Sequence, residues 1–277
     1  MQQGNNDLSV LRARIDDLDE QMLELLKARM TIVREVGHLK AKTVSAGLSF
    51  IRPAREALMI RALIAKMDRD FPPAAIATMW RMIISASLTL EQSMTIAAFC
   101  KKNSQAPYWL AREYFGTVMP IARFTEEELV VEQVIKSYAT IGILPLEQQM
   151  EKPWWLRPAG ESNQIFIFAK LPYVVQSWMA DDENAFAIAA VMPEETGDDI
   201  SVLAIETFAA ADEVIANLQR VYAADILLLS QAENGLLIGV SCFLDSALLA
   251  QKTLGSAVRL LGAYARPLQF SEKDSIS

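Results

Sequence analysis

From residue 8 to residue 42, apolar positions recur at three- and four-residue spacing: Leu11, Ile15, Leu18, Met22, Leu25, Leu26, Ile32, Val33 and Val36. That period predicts one long amphipathic helix. Two cations, Arg29 and Lys40, fall on the stripe where an apolar residue belongs, and Arg12 sits beside it near the start. A buried charge without a partner is expensive. Either these side chains meet an anion, which points to a ligand, or they snorkel to solvent from an ordinary coiled-coil face. Arg29 and Lys40 are eleven residues apart and share a face about 16 Å apart along the axis. Arg12 lies about 42 Å from Lys40 on a straight helix, so it joins their site only from an antiparallel partner helix in a dimer.

A second helix is predicted from Pro53 through Ala54–Met67, since proline suits a first turn. A third follows Pro73, with the stripe Ile76, Trp80, Ile83, Ser87, Glu91. Ser87 and Glu91 again put polar groups on an apolar face, one turn apart. Three helices that each deliver polar side chains suggest one shared pocket, with the loop Thr43–Ile51 over its mouth. After Met94 the pattern changes to α/β alternation: strand Thr95–Cys100, helices Pro107–Phe115 and Glu126–Tyr138, strand Ala139–Leu146. Lys152–Pro158 breaks it, and Ile165–Lys170 resumes a strand. The tail reads βαββαβ: strand Ile200–Glu206, helix Ala210–Tyr222, strands Asp225–Gln231 and Leu236–Phe243 across Glu233-Asn234-Gly235, helix Ser246–Leu254, strand Val258–Tyr264. Asn-Gly is a hairpin signal, and the order is that of a ferredoxin-like split unit. Ser271–Ser277 reads as a frayed end.

Composition narrows the chemistry. With 277 residues, 52% apolar, the chain can build two or three small domains. A net charge of −8 argues against nonspecific binding to nucleic acid or anionic membranes. Cys100 and Cys242 form no metal or redox motif, and the single histidine, His38, rules out a His-rich metal site. The longest apolar runs are too short to span a bilayer. The first residues lack a signal-peptide pattern, so a cytoplasmic location is expected.

The first ninety-odd residues resemble the all-helical chorismate mutase family. The likeness is carried by Leu11-Arg12, Ile15-Asp16, Leu18-Asp19, Arg29, Val36-Gly37, Lys40, Arg52-Pro53-Ala54-Arg55-Glu56 and Ile83-Ile84-Ser85-Ala86-Ser87-Leu88 ending in Glu91. The resemblance implies an intertwined homodimer in which Arg12 is lent by the partner. Arg29, Lys40, Arg55, Glu56, Ser87 and Glu91 would then line a pocket for chorismate, together with Arg52, where many family members carry an acid. The rest resembles the bifunctional chorismate mutase–prephenate dehydratases in reduced form. Leu144-Pro145-Leu146-Glu147 stands for the usual Val-Pro-Val-Glu-Asn. Gly197-Asp198-Asp199 and Leu261-Gly262-Ala263-Tyr264 resemble the passage into an ACT regulatory domain. The departures are a Gly-Pro-Glu-Gly-Thr loop replaced by Cys100-Lys101-Lys102-Asn103-Ser104, a Thr-Arg-Phe motif replaced by Asn184-Ala185-Phe186, and only Met150–Asp182 in place of most of a second lobe. The ACT ligand motifs are absent as well. The expected architecture is therefore α+β and multidomain: a helical mutase domain over 1–94, a reduced α/β region over 95–182, and an ACT-like ferredoxin fold over 183–277, with dehydratase activity lost.

The implied reaction is the unimolecular rearrangement of chorismate to prephenate, which requires no metal or cofactor. Arg12 and Arg29 would clamp the substrate carboxylates. Lys40 and Glu91 would aim donors at the ether oxygen, where negative charge develops. Glu91 donates only when protonated. Glu56 would accept from a substrate hydroxyl, and Ser87 and Arg55 would orient the ring carboxylate. Two rivals remain open: a sensor that holds an aromatic-pathway metabolite without turnover, and an isochorismate–pyruvate lyase on the same scaffold. The reduced region could also dock another aromatic-pathway enzyme.

Overall fold

Prolines open the second and third helices, and the long first helix contains none. The computed structural model describes residues 2–43, 50–67, 71–156, 165–179, 183–245 and 258–271. Helix α1 spans Gln2–Thr43, α2 Pro53–Ile64 and α3 Pro73–Glu91. Helix α2 stops three residues short of Met67 because its end tightens: Lys66 and Met67 donate to Leu63 and Ile64, three residues back rather than four. The expected lid, Thr43–Ile51, falls largely outside the described residues.

The remainder alternates as predicted and adds short strands that periodicity did not show. Its order is β1 (Ile96–Phe99), α4 (Ala106–Phe115), β2 (Ile121–Phe124), α5 (Glu127–Ile135), β3 (Ile141–Pro145), a 3₁₀ turn (Trp154–Leu156), β4 (Phe166–Leu171), β5 (Val174–Gln176) and β6 (Ala185–Ala189). Then come β7 (Asp199–Glu206), α6 (Ala211–Tyr222), β8 (Ile226–Ala232), β9 (Gly235–Val240), β10 (Val258–Ala265) and β11 (Leu268–Phe270). The helix predicted at Ser246–Leu254 lies outside the described residues.

Nine strands form one sheet in the order β2-β1-β3-β6-β4-β10-β7-β9-β8. The β2-β1-β3 end is parallel, with helical crossovers. At the other end, β10-β7-β9-β8 is antiparallel throughout, the strand order of a βαββαβ split unit. The hairpin turns at Glu233-Asn234, with Ala232 opposite Gly235. A division at 182/183 does not coincide with a break in this sheet: β6 lies after it in sequence yet pairs between β3 and β4.

Side chains alternate across the sheet. Ile96, Ala98, Ile141 and Ile143 face a core shared with α4 and with Ile60, Ala77, Ile84 and Leu88 of α2 and α3. Ala97, Phe99 and Leu144 face the opposite core, against α5 and Trp154-Trp155. Residue 94 is therefore a boundary in chain pattern but not in packing, since α2 and α3 complete the core of the sheet. Helix α3 has the length and apolar composition of a membrane span, yet it contacts α1, α2, α4, β5 and β11.

The two halves of the sheet join at Gly262, which sits opposite Ile167 of β4 at a bulge in β10. Its φ is +147°, and a Cβ there would lie 2.1 Å from the Ile167 carbonyl oxygen. Neither the backbone conformation nor the space admits a side chain. Gly262→Ala should lower the unfolding free energy by about 3 kcal/mol. Urea unfolding followed by circular dichroism would check this; a loss below about 0.5 kcal/mol would mean the strands part easily at this point.

Candidate active site

Helices α1 and α3 meet where Gly37 faces Glu91: a Cβ on Gly37 would lie 3.3 Å from the Glu91 Cα. That close approach sets the seam on which the cations lie. Three residues beyond it, Lys40 donates from Nζ to Glu91 Oε2 at 2.7 Å. Eight residues before it, Arg29 donates from Nη1 to Ser87 Oγ at 2.5 Å. Ser87 Oγ in turn donates to the Ile83 carbonyl at 2.7 Å, which fixes its rotamer. Arg29 and Lys40 stand eleven residues apart on α1, and their long side chains converge on Ser87 and Glu91, four residues apart on α3, giving two polar rungs across one apolar seam.

The rungs differ in charge. Lys40 and Glu91 form an ion pair, with the side chains 32% and 11% exposed, and Lys40 Nζ also lies 5.3 Å from the Phe50 ring centroid. Arg29 meets a neutral hydroxyl instead. Burial lowers the Arg29 pKa from its ordinary value, partly countered by the Glu91 charge. A guanidinium has five N–H donors, and one is spent on Ser87. This geometry can receive an anion: cationic donors sit in a partly desolvated cleft with one carboxylate beside them.

The other predicted residues are placed differently. Arg12 is exposed on the N-terminal half of α1, and Arg55 is exposed on α2. Arg52 is held by Glu194, with Nη2 2.8 Å from Oε1 and Nε donating to Oε2 at 3.3 Å. Glu56 is buried, and its Oε2 accepts from Arg81 Nη1 at 2.6 Å. Arg29, Lys40, Ser87 and Glu91 are therefore assembled, while Arg52 and Glu56 are engaged by other side chains.

Arg81 escaped the reading of the sequence. It is 3% exposed, and its guanidinium carbon lies 3.9 Å from the Tyr114 ring centroid. Its charge is held by Glu56 and by the π face of the tyrosine; burial in turn raises the Tyr114 pKa far above the ordinary phenol range. The signal was available: Ala77, Arg81, Ile84 and Leu88 form a second helical stripe on α3, with a cation where an apolar residue belongs.

Residues 11–92 match the chorismate mutase type II family. The mutase-type match covers α2, α3 and all but the first turns of α1, and so includes both rungs. A bifunctional chorismate mutase/prephenate dehydratase of Pseudomonas aeruginosa is 28% identical over 146 residues, 52% of this chain and 40% of the relative. A T-protein of Enterobacter agglomerans is 32% identical over 95 residues, 34% of this chain and 25% of the relative. The chain thus spans well under half the length of these curated relatives. Among solved structures, a prephenate dehydratase from Streptococcus mutans aligns at a TM-score of 0.43 and 14% identity, over 64% of this chain and 99% of that one.

The buried pair yields a prediction about stability. Arg81→Met alone leaves the Glu56 charge buried without its partner and should cost about 3–5 kcal/mol. Adding Glu56→Leu removes that charge and should return most of the loss, to within about 2 kcal/mol of the parent. Chemical denaturation of the single and double variants measures both values; equal destabilisation by the two would show that the charge is satisfied by solvent.

Proposed function

We propose that this chain is a chorismate mutase, converting chorismate to prephenate in a pocket built on the α1–α3 seam. The observation that carries the reading is the double rung, Arg29–Ser87 and Lys40–Glu91, within the segment that matches the mutase family. Chorismate is a dianion, and the seam offers two cations to it. Arg29 supplies further donors for a carboxylate, and Lys40 can turn a donor from Glu91 toward the ether oxygen. In the transition state the breaking C–O bond leaves negative charge on that oxygen, and a preorganised donor there stabilises the transition state more than the ground state. Holding the flexible substrate with its reacting carbons in contact supplies the entropic part of the acceleration.

The same reading makes the active unit a homodimer. Leu11, Ile15, Leu18, Met22, Leu25 and Ile32 are each at least half exposed on α1, with Leu25 at 72%. An apolar stripe of that length calls for a partner of matching period, and a second copy of α1, run antiparallel, provides one. It would bring the partner's Arg12 toward Arg29 and Lys40. Arg52, Arg55 and Glu56 are assigned to the pocket's α2 side; substrate would have to compete for Arg52 with Glu194 and for Glu56 with Arg81.

Dehydratase activity is assigned as lost. The segment that replaces the family's glycine-rich loop closes on itself, with Lys101 and Ser104 exchanging backbone hydrogen bonds at 2.9 and 3.1 Å. The role of the region built on β7 to β10 is assigned as regulatory or structural.

The test is chorismate consumption followed by absorbance. Lys40→Ala should lower kcat about a hundredfold to a thousandfold. Arg12→Ala should be similarly poor alone. Unfolding the two variants together and refolding them at equal concentration should restore about a quarter of the parental rate, because half the dimers are mixed and each mixed dimer keeps one intact pocket. Substrate left untouched by the parent chain would overturn the mutase reading, and failure of the mixed sample to recover would overturn the shared pocket.

A further inference from the structure

Helix α2 carries Arg55 and Glu56 of the assigned pocket, with Arg52 at its N-cap, and besides its packing on α3 it is held by residues more than a hundred positions away in sequence. Arg61, in its last turn, reaches into the C-terminal sheet region. Its Nη1 donates to Thr196 Oγ1 at 3.0 Å and to the Thr196 carbonyl at 3.4 Å. Its Nη2 donates to the Asp198 carbonyl at 3.0 Å and to the Arg266 carbonyl at 3.4 Å. One guanidinium thus joins three chain segments, chiefly through main-chain oxygens whose positions do not depend on rotamers.

The receiving turn is prebuilt. Asp199 is buried; its Oδ2 accepts from the Thr196 and Gly197 amides at 2.8 and 3.0 Å, and its Oδ1 accepts from Thr196 Oγ1 at 2.6 Å. Arg266 closes the other side, its amide donating to the Asp198 carbonyl and its Nε to Asp198 Oδ1, both at 3.0 Å. At the opposite end of α2, Arg52 pairs with Glu194, two residues before the same turn. Both ends of the helix are therefore bound to residues 194–199, with Arg55 and Glu56 between them.

We propose that the turn over residues 194–199 is a latch through which the C-terminal region sets the position of α2, and that Arg61 is a positioning residue for the mutase pocket. The inference rests on the mutase reading of the α1–α3 seam. It assigns a task to Gly197-Asp198-Asp199, which that reading leaves unused, and makes the C-terminal region part of the apparatus that binds substrate. Lysine cannot replace the fork: its donors radiate from one nitrogen and cannot span three segments.

The test uses the full chain with Arg61→Lys, which keeps the charge and most of the bulk, and with Glu194→Gln, which loosens the other end. Because α2 carries binding groups while Lys40 and Glu91 lie on α1 and α3, Arg61→Lys should raise KM for chorismate about fivefold or more and change kcat less than about twofold. Amide hydrogen exchange should accelerate in α2 and not in α3. Glu194→Gln should accelerate exchange in the first turn of α2, by less than Arg61→Lys does at the last turn, because the Arg52–Glu194 pair is half exposed. Unchanged KM with unchanged exchange in α2, or exchange rising equally in α2 and α3, would overturn the latch. Absence of chorismate turnover in the parent chain would overturn the mutase reading instead, and the exchange measurement would still decide whether Arg61 holds α2.

Discussion

A cation on an apolar helix seam must be answered by something across the seam, and the helical part of this chain is organised by that requirement. Lys40 is answered by Glu91 and Arg29 by Ser87. Both answers depend on α1 and α3 coming close enough for short polar groups to reach, and Gly37 is what permits the approach. A larger residue there would part the helices at the point where the Lys40–Glu91 rung forms. Packing and chemistry at this site are thus one constraint: the distance that closes the seam also sets which donors remain for a ligand.

The same logic, repeated on the far side of α3, ties the helices to the sheet. Arg81 answers Glu56, and Tyr114 of α4 stacks on the guanidinium. Helix α3 therefore carries two stripes, one offering Ser87 and Glu91 to α1, the other burying Arg81 against α2 and α4. An apolar helix with buried faces on more than one side belongs in an interior, which is why its composition alone passes for a membrane span. The buried ion pair is weak evidence for stability. Its consequence is orientation: it fixes which way Glu56 points, and with it the face that α2 presents.

Much of this was legible in the sequence because helical period and charge are local signals. The positions of Arg29, Lys40, Ser87 and Glu91 followed from stripes spaced by three and four, and the strands β7 to β10 with helix α6 followed from runs bounded by turn residues. Other features were not local. Strand β6, Ala185-Phe186-Ala187-Ile188-Ala189, is alanine-rich, and alanine is depleted in strands; here small side chains fit because both faces of the strand are buried between layers. The partner of Arg52 lies 142 residues away and that of Arg61 at least 135, so no window along the chain could pair them. Arg81 was missed for a different reason: the stripe through Ile76, Trp80 and Ile83 explained α3 well enough to hide the second one.

The N-terminal half of α1 supplies the last link between fold and site. Fully burying an aliphatic side chain of this size is worth about 1.5–3 kcal/mol, so the exposed stripe from Leu11 to Ile32 represents on the order of 10 kcal/mol of stabilisation that a single chain does not collect. Association costs a comparable amount in lost translational and rotational freedom, so the stripe is enough to drive pairing only if most of it is covered at once. An antiparallel copy covers it along its whole length; a short or globular partner does not. In the proposed dimer that geometry would also resolve the distance problem posed by Arg12, since the end of α1 farthest from Lys40 in one chain would become the nearest in the other. The long unbroken helix would then be the means by which a cation encoded near the start of the chain reaches a pocket about 42 Å away along its own axis.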